Sequence, residues 1–434
     1  MSLAKDIIKK AVSDYKANKS KNRRNHVNRL IDYYTSSGTN KYIERFFSPD
    51  IYNDVPLYTI NITKKFIDKM SRIYTNPPIR KFGTRENVKY NKHIGSKDSY
   101  LKHVEKMNNL IGTVALRVSW DENAQEFLYK SVYYFDAFFL DNDPYNPYAI
   151  IYPILSPTDD NRYSNTNELK YFYCDPTVEI IYNEQGQILS EVPNPYGKLP
   201  FVFFRDSEQI DDFFNEGGSD IASVNEQINI TITNLHLGLH YQMVGQMWAT
   251  GVYADQPITR VGPDYIINLP EGAAFGIAEP GGDPAKVIET VKFQLELLAT
   301  SRHMFVTFDS SADRPSSGLA LIIKDLEHIE DFKDDVERYK RFEHKIYDVE
   351  QSIADVHGIS LPNNISIHYQ DIAAPKSTGE QIQKDTFMLN NGMITEAEIL
   401  QRERGDLTLK EAQKIVDENK SKLEPQDPEQ DNDG

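Results

Sequence analysis

One stretch limits what this chain can fold into. From Leu319 to His357 it holds no proline and no glycine. Leu319, Ile322, Leu326, Ile329, Phe332, Val336, Tyr339, Phe342, Ile346, Val349, Ile353 and Val356 recur there at steps of three and four. That is the period of a helix with one apolar stripe. Ser316 or Ser317 suits the N-cap and Gly358 the C-cap. The helix would be about 58 Å long at 1.5 Å per residue. A compact globule of 434 residues is about 57 Å across. A rod of that length would cross the whole molecule. Rods of this kind suit a part that packs against further copies of itself.

Charge narrows the function classes. The net charge is −17, and it is unevenly placed. The first thirty residues are basic and the last eleven are acidic without a single Lys or Arg. An acidic chain is a poor general nucleic-acid binder, because affinity comes largely from neutralising phosphates. It can still surround DNA without gripping it. Cys174 is the only cysteine, so no intrachain disulfide forms and a reducing compartment is the simple expectation. No run of eighteen apolar residues and no apolar signal core is present.

Residues 1–47, 56–74 and 97–115 carry helical patterns. Between 113 and 205 the pattern alternates, with Asp-Glu-Asn, Asn-Glu-Gln-Gly and Pro-Tyr-Gly turns, as in antiparallel strands. Helix returns over 217–249 with the stripe Ile221, Val224, Ile228, Leu235 and Leu239. Its Asn225, Gln227, Asn229, Thr231 and Asn234 side is uncharged, suited to a neighbouring subunit or a channel. A Gly/Pro-rich β excursion at 250–283 leads into a second helix at 284–304 and a polar loop at 305–318. After the long helix come a strand near SIHYQDIAAP, two charged helices over 377–422 and an acidic tail expected to be disordered.

This order, and several local stretches, resemble the tailed-bacteriophage portal protein family. PLYTINITKKFIDKMSRIYTNPPIR, with Asn61, Asp68 and Tyr74, is similar to a family segment that precedes a Pro turn. YGKLPFVFFRDSE resembles the strand before the first stem helix, and SSGLALIIKDLE the start of the long helix. ISIHYQDIAAPKSTGEQIQK and NGMITEAEIL with GDLTLKEAQKIVDE resemble the closing strand and crown helices. The likeness covers roughly residues 25–420.

The resemblance implies an α+β, mainly helical portal fold. Residues 1–216 would form the wing, with the β-rich block 113–205. Residues 217–249 and 284–304 would be the stem helices and 250–283 the clip. Residues 305–318 would be the tunnel loop, 319–376 the long, kinked or curved helix with the return strand, and 377–422 a short crown. Residues 423–434 would be the disordered acidic tail. It implies a homo-oligomeric dodecamer at one capsid vertex of a virion, assembled in the host cytoplasm. Double-stranded DNA would pass through without sequence-specific binding. The partners implied are the terminase large subunit, the head-tail adaptor, and the major capsid and scaffold proteins, with no membrane. Phe305, Phe308, Asp309, Ser310, Ser311, Asp313, Arg314 and Ser316 would line the channel. Tyr253, Asp255, Arg260, Asp264 and Tyr265 would dock partners at the clip. Leu319, Ile322, Leu326, Ile329, Val336 and Tyr339 would pack the long helix, in ring-building contacts and the wing core. Twelve copies at −17 each carry roughly −200 in total, which disfavours gripping DNA.

No catalytic, cofactor or metal site is expected. His236 and His240 share a helical face, but Leu-Gly-Leu lies between them, without the Glu of a metalloprotease. Asp141 and Asp143 lack the glycine and terminal Glu spacing of a calcium loop and read as a turn. PNPYGKLP is not a phosphate loop, and no Gly-x-Ser-x-Gly occurs. Two other classes stand beside the portal. A phage nucleic-acid-processing enzyme or motor subunit would need a phosphate loop or carboxylate cluster. A cytosolic coiled-coil scaffold would not need the β block at 113–205 or the helix–knob–helix order.

Overall fold

The alternating block folds as expected into antiparallel sheet in the computed structural model. The structure describes residues 18–49, 57–83, 85–86, 88–143, 145–154, 170–183, 185–206, 212–244, 246–251, 271–278, 283–304, 318–369, 378–404 and 409–423. Strands β1 (Ile79–Phe82), β2 (Arg85–Glu86), β3 (Thr113–Asp121) and β4 (Glu126–Val132) come first. They are followed by β5 (Asp136–Phe138), β6 (Ala149–Ile154), β7 (Lys170–Cys174), β8 (Val178–Asn183), β9 (Ile188–Pro193) and β10 (Phe201–Arg205). β5 to β9 form a five-stranded meander, and β10-β3-β4 a second antiparallel sheet. Phe172, Tyr152, Phe201, Ala115 and Cys174 pack into one core beneath them. The Cys174 thiol is buried there, which pushes its pKa up.

The helices among the described residues are α1 (Asn18–Thr35), α2 (Asn40–Ile43), α3 (Ile62–Met70), α4 (Val88–His93) and α5 (Lys97–Ile111). Then come α6 (Ser219–Val244), α7 (Pro284–Ser301) and α8 (Gly318–Val356), and last α9 (Thr378–Asn390), α10 (Glu396–Glu403) and α11 (Leu409–Leu423). Among them none is long and apolar enough to cross a membrane. The chain is thus a mixed helix-and-strand protein of the α+β kind.

Several ends follow local chemistry. α3 starts later than the pattern over 56–74 suggests, because the Asn61 side chain accepts from Lys64 N at 2.8 Å and caps it there. α5 stops at Gly112, whose φ of +85° turns the chain into β3. A Cβ at Gly112 would lie 2.5 Å from Gly217 N, and one at Gly217 would lie 2.4 Å from Gly112 N. These two glycines bring the start of β3 and the start of α6 back to back. α8 ends in a Schellman motif: Ile359 N donates to Ala354 O at 2.8 Å and Gly358 N to Asp355 O at 3.3 Å, with Gly358 at φ +70°.

The chain divides into two compact units, residues 1–308 with 328–370, and residues 309–327 with 371–434. In the first, β13 (Ile365–His368) returns to pair antiparallel with β1. Tyr90, Ile94, Tyr347, Ile365 and Ile367 fill the space beneath. In the second, the charged segment makes three helices where two were expected. Thr395 and Glu398 form a capping box that starts α10 separately. Its described core is thin: Ala397 and Ala412 are buried, while Ile382, Phe387, Met393 and Leu409 are exposed.

Candidate functional site

α6 and α7 form a helical hairpin that carries the β-ribbon of β11 (Gln246–Thr250) and β12 (Ala274–Ala278). α6 ends at Val244, earlier than the expected 249, because residues 246–250 are drawn into the ladder with 274–278. Trp248 pairs with Gly276, and a Cβ at Gly276 would lie 2.6 Å from the indole. The glycine leaves the ring room to lie across the ribbon, where it stays about half exposed. α7 opens with Pro284 behind the Asp283 cap, whose carboxylate accepts from Ala285 N at 3.1 Å.

The base of α6 is anchored by polar groups that the sequence pattern assigns to its outside. Asn225 and Asn229 are buried inside this chain, which corrects the expectation that they face a neighbour or a channel. Asn225 Oδ1 accepts from Ile62 N at 2.7 Å and Thr63 N at 2.8 Å, and its Nδ2 donates to Ile60 O at 2.8 Å. Asn229 Oδ1 accepts from Ile60 N at 2.9 Å. The two amides satisfy backbone groups at the start of α3 that would otherwise be buried unpaired. Beside them Glu226 accepts from Arg29 Nη2 at 2.9 Å, Arg45 Nη2 at 2.6 Å and Tyr33 OH at 2.9 Å. At the other side of the hairpin Arg302 Nε donates to Asp220 Oδ2 at 3.0 Å.

Beyond this base the hairpin is thinly covered. Ile221 and Ile228 are fully buried, Val224 and Leu235 are half-buried, and Leu239 is exposed. On α7 Leu298 and Ala299 are buried, whereas Phe293 is 64% and Leu297 59% exposed. Gln227 and Asn234 are exposed and Thr231 half-buried. His236 stacks on Tyr58 with ring centroids 5.1 Å apart, an ordinary aromatic contact.

The far half of α8 shows the opposite character. Phe332, Tyr339, Phe342, Ile346, Val349 and Ile353 are buried, so this part of the stripe is core of this same chain. Val336 is half-buried and Val356 exposed. The buried residues from Phe332 to Ile353 therefore pack within their own chain and offer no surface to another copy. Within the stripe sit two carboxylates seven residues apart, Glu343 and Glu350, both fully buried. Glu343 accepts from Arg80 Nε at 3.1 Å and Tyr74 OH at 3.1 Å, and lies 3.2 Å from Lys97 Nζ. Glu350 accepts from Lys97 Nζ at 2.9 Å, Tyr90 OH at 2.7 Å and Tyr129 OH at 2.6 Å. Arg80 also reaches Asp98 at 2.7 Å. Burial alone would raise the Glu343 pKa; Arg80 and Lys97 outweigh it and hold the carboxyl down at about 2.

Nearby, burial pushes Glu105 up to about 7, against the N–H groups of Ile73 at 2.8 Å and Tyr74 at 3.1 Å that bind its carboxylate. Glu105 is sealed from solvent. Its shift reflects burial, and its carboxylate clamps the backbone at Ile73 and Tyr74. Asp143 closes a turn, accepting from Tyr145 N at 3.3 Å and Asn146 N at 3.1 Å. Among the described residues no cluster of His, Cys, Asp or Glu could hold a metal.

The residues expected to line a channel, Phe305, Phe308, Asp309, Ser310, Ser311, Asp313, Arg314 and Ser316, lie outside the described residues. So do the residues expected to dock partners, Tyr253, Asp255, Arg260, Asp264 and Tyr265. Leu319, Ile322, Leu326 and Ile329 lie on α8, within its first four turns. Sequence reasoning passed over Glu343 and Glu350, although charges inside an apolar stripe signal buried partners. It also passed over Phe293 and Leu297, whose four-residue spacing was visible. No family model matches the chain and no curated protein matches it.

Proposed function

We propose that this chain is the repeating subunit of a portal ring in a tailed phage. The ring sits at one capsid vertex, admits and releases double-stranded DNA, and docks the terminase motor and later the head-tail connector. The observation that carries this reading is the α6–ribbon–α7 hairpin, with its polar anchored base and its exposed apolar residues, followed in the chain by the 39-residue helix α8. That element order is what a projecting stem with a docking tip requires. Net charge supports it as well: at −17 per copy, a ring repels the duplex and leaves it free to slide. The loop at 305–318 is the segment proposed to meet the DNA, and the clip at 250–283 the one proposed to meet motor and connector. Self-association, scaffold and capsid contacts belong to the same proposal, with ATP hydrolysis supplied by the motor.

Packaging tests it. Heads assembled without this chain should hold no nuclease-protected DNA, and supplying the chain should restore it. Normal packaging in its absence would overturn the reading. Replacing 309–316 by a Gly/Ser linker should preserve ring assembly but impair DNA retention; unchanged retention would remove the loop from the mechanism.

A further inference from the structure

Two faces of the α6–α7 hairpin stand out for opposite reasons. On α7, Leu298 and Ala299 turn inward, and Val287, Val291 and Leu295 are half-buried on the same side. Phe293 and Leu297 lie four residues apart, about half a turn around the helix from that side. Both keep most of their surface exposed. Lys286, Lys292, Glu289 and Glu296, of both signs, lie on the same helix around them. On α6, no Asp, Glu, Lys or Arg occurs between Gln227 and Val244. Gln227, Thr231, Asn234 and Gly238 follow at spacings of four, three and four, which places them on one face. A Cβ at Gly238 would meet nothing within 4 Å.

We propose that the Phe293–Leu297 face of one copy seats on the Gln227–Thr231–Asn234 face of the next. This rests on the ring reading and names the surface that would build it. The occupant is a second copy for an electrostatic reason. Copies carrying −17 each repel, so they meet at least cost where one side has no charge and the other has balanced charge around an apolar pair. The two faces are different patches of one hairpin. Their contact is therefore heterologous, and repeats into a ring or a filament instead of stopping at a dimer. The Arg302–Asp220 pair fixes the height of α7 against α6. In that antiparallel register Leu297 and Phe293 each lie about two residues from the levels of Gln227 and Thr231.

Cysteine cross-linking tests the contact directly, because the only native cysteine, Cys174, is buried. A Gln227→Cys/Leu297→Cys double variant of the full chain, oxidised at micromolar concentration, should run as a ladder of dimers, trimers and higher species without reductant. Each single variant should stay monomeric on the same gel. Dimers from a single variant would show an isologous contact and overturn the proposal. Phe293→Glu/Leu297→Glu should lower the ring fraction at least tenfold in native mass spectra, with an unchanged circular dichroism melt. Rings that persist in that variant would sink this inference and leave the ring reading standing. A wild-type chain that forms no ring would take both down.

Discussion

The far half of α8 and the α6–α7 hairpin are both helical, and they solve opposite problems. The far half of α8 is fixed by burying one face, including two carboxylates whose partners come from β1, α4, α5 and β4. The hairpin is held mainly toward its base, by two amides, Glu226 and the Arg302–Asp220 pair, and leaves apolar side chains in solvent. A buried ion network adds little net stability over an apolar core but punishes every misfit. It defines where the helix sits. An exposed apolar pair adds nothing to the folded monomer. It gains value only when another surface covers it. The contrast separates a part that holds its position from a part left to be completed by assembly.

The largest expected effect breaks the first region. Glu343→Ala leaves Arg80 and Lys97 buried with a carboxylate removed, which should cost about 3–5 kcal/mol in urea unfolding. Next comes the junction of α5 with the start of α6. Gly112→Ala places a Cβ against the Gly217 backbone and forces a left-handed φ on alanine; about 3 kcal/mol should be lost. Asn225→Ala strips the acceptor from Ile62 N and Thr63 N, and a loss of about 1–3 kcal/mol is expected. The smallest effect belongs to the hairpin surface. Phe293→Ser should change the stability of the unassembled chain by no more than about 0.5 kcal/mol, while weakening association.

Acidity separates Glu343 on α8 from Glu105 on α5. Glu343 titrates at about 2 in the folded chain, below the ordinary 4.5. Its contribution is complete above pH 4.5 and is lost as pH falls toward 2. Glu105 titrates at about 7, above the ordinary 4.5. Its sign is reversed: the contribution is complete below pH 4.5 and is lost as pH rises through 7. Denaturant midpoints measured across pH should show both slopes, and Glu105→Gln should flatten only the one between pH 4.5 and 7.

Local chemistry was readable in advance. The period of α8, its Gly358 stop, the alternating strands and the helix–ribbon–helix order all depend on neighbours in sequence. Boundaries moved where a side chain or a ladder intervened, as at Asn61 and at residues 246–250. The ion network was not readable as a network, since Arg80 and Glu343 lie 263 residues apart. Nothing local announces which cation answers which carboxylate. The same blindness placed Asn225 and Asn229 outside: polarity suggests solvent until the chain shows a backbone needing partners.

The most direct measurement is negative-stain imaging of the purified full chain at micromolar concentration. The account predicts rings with a central hole. A field of monomers or rod-like dimers would contradict it.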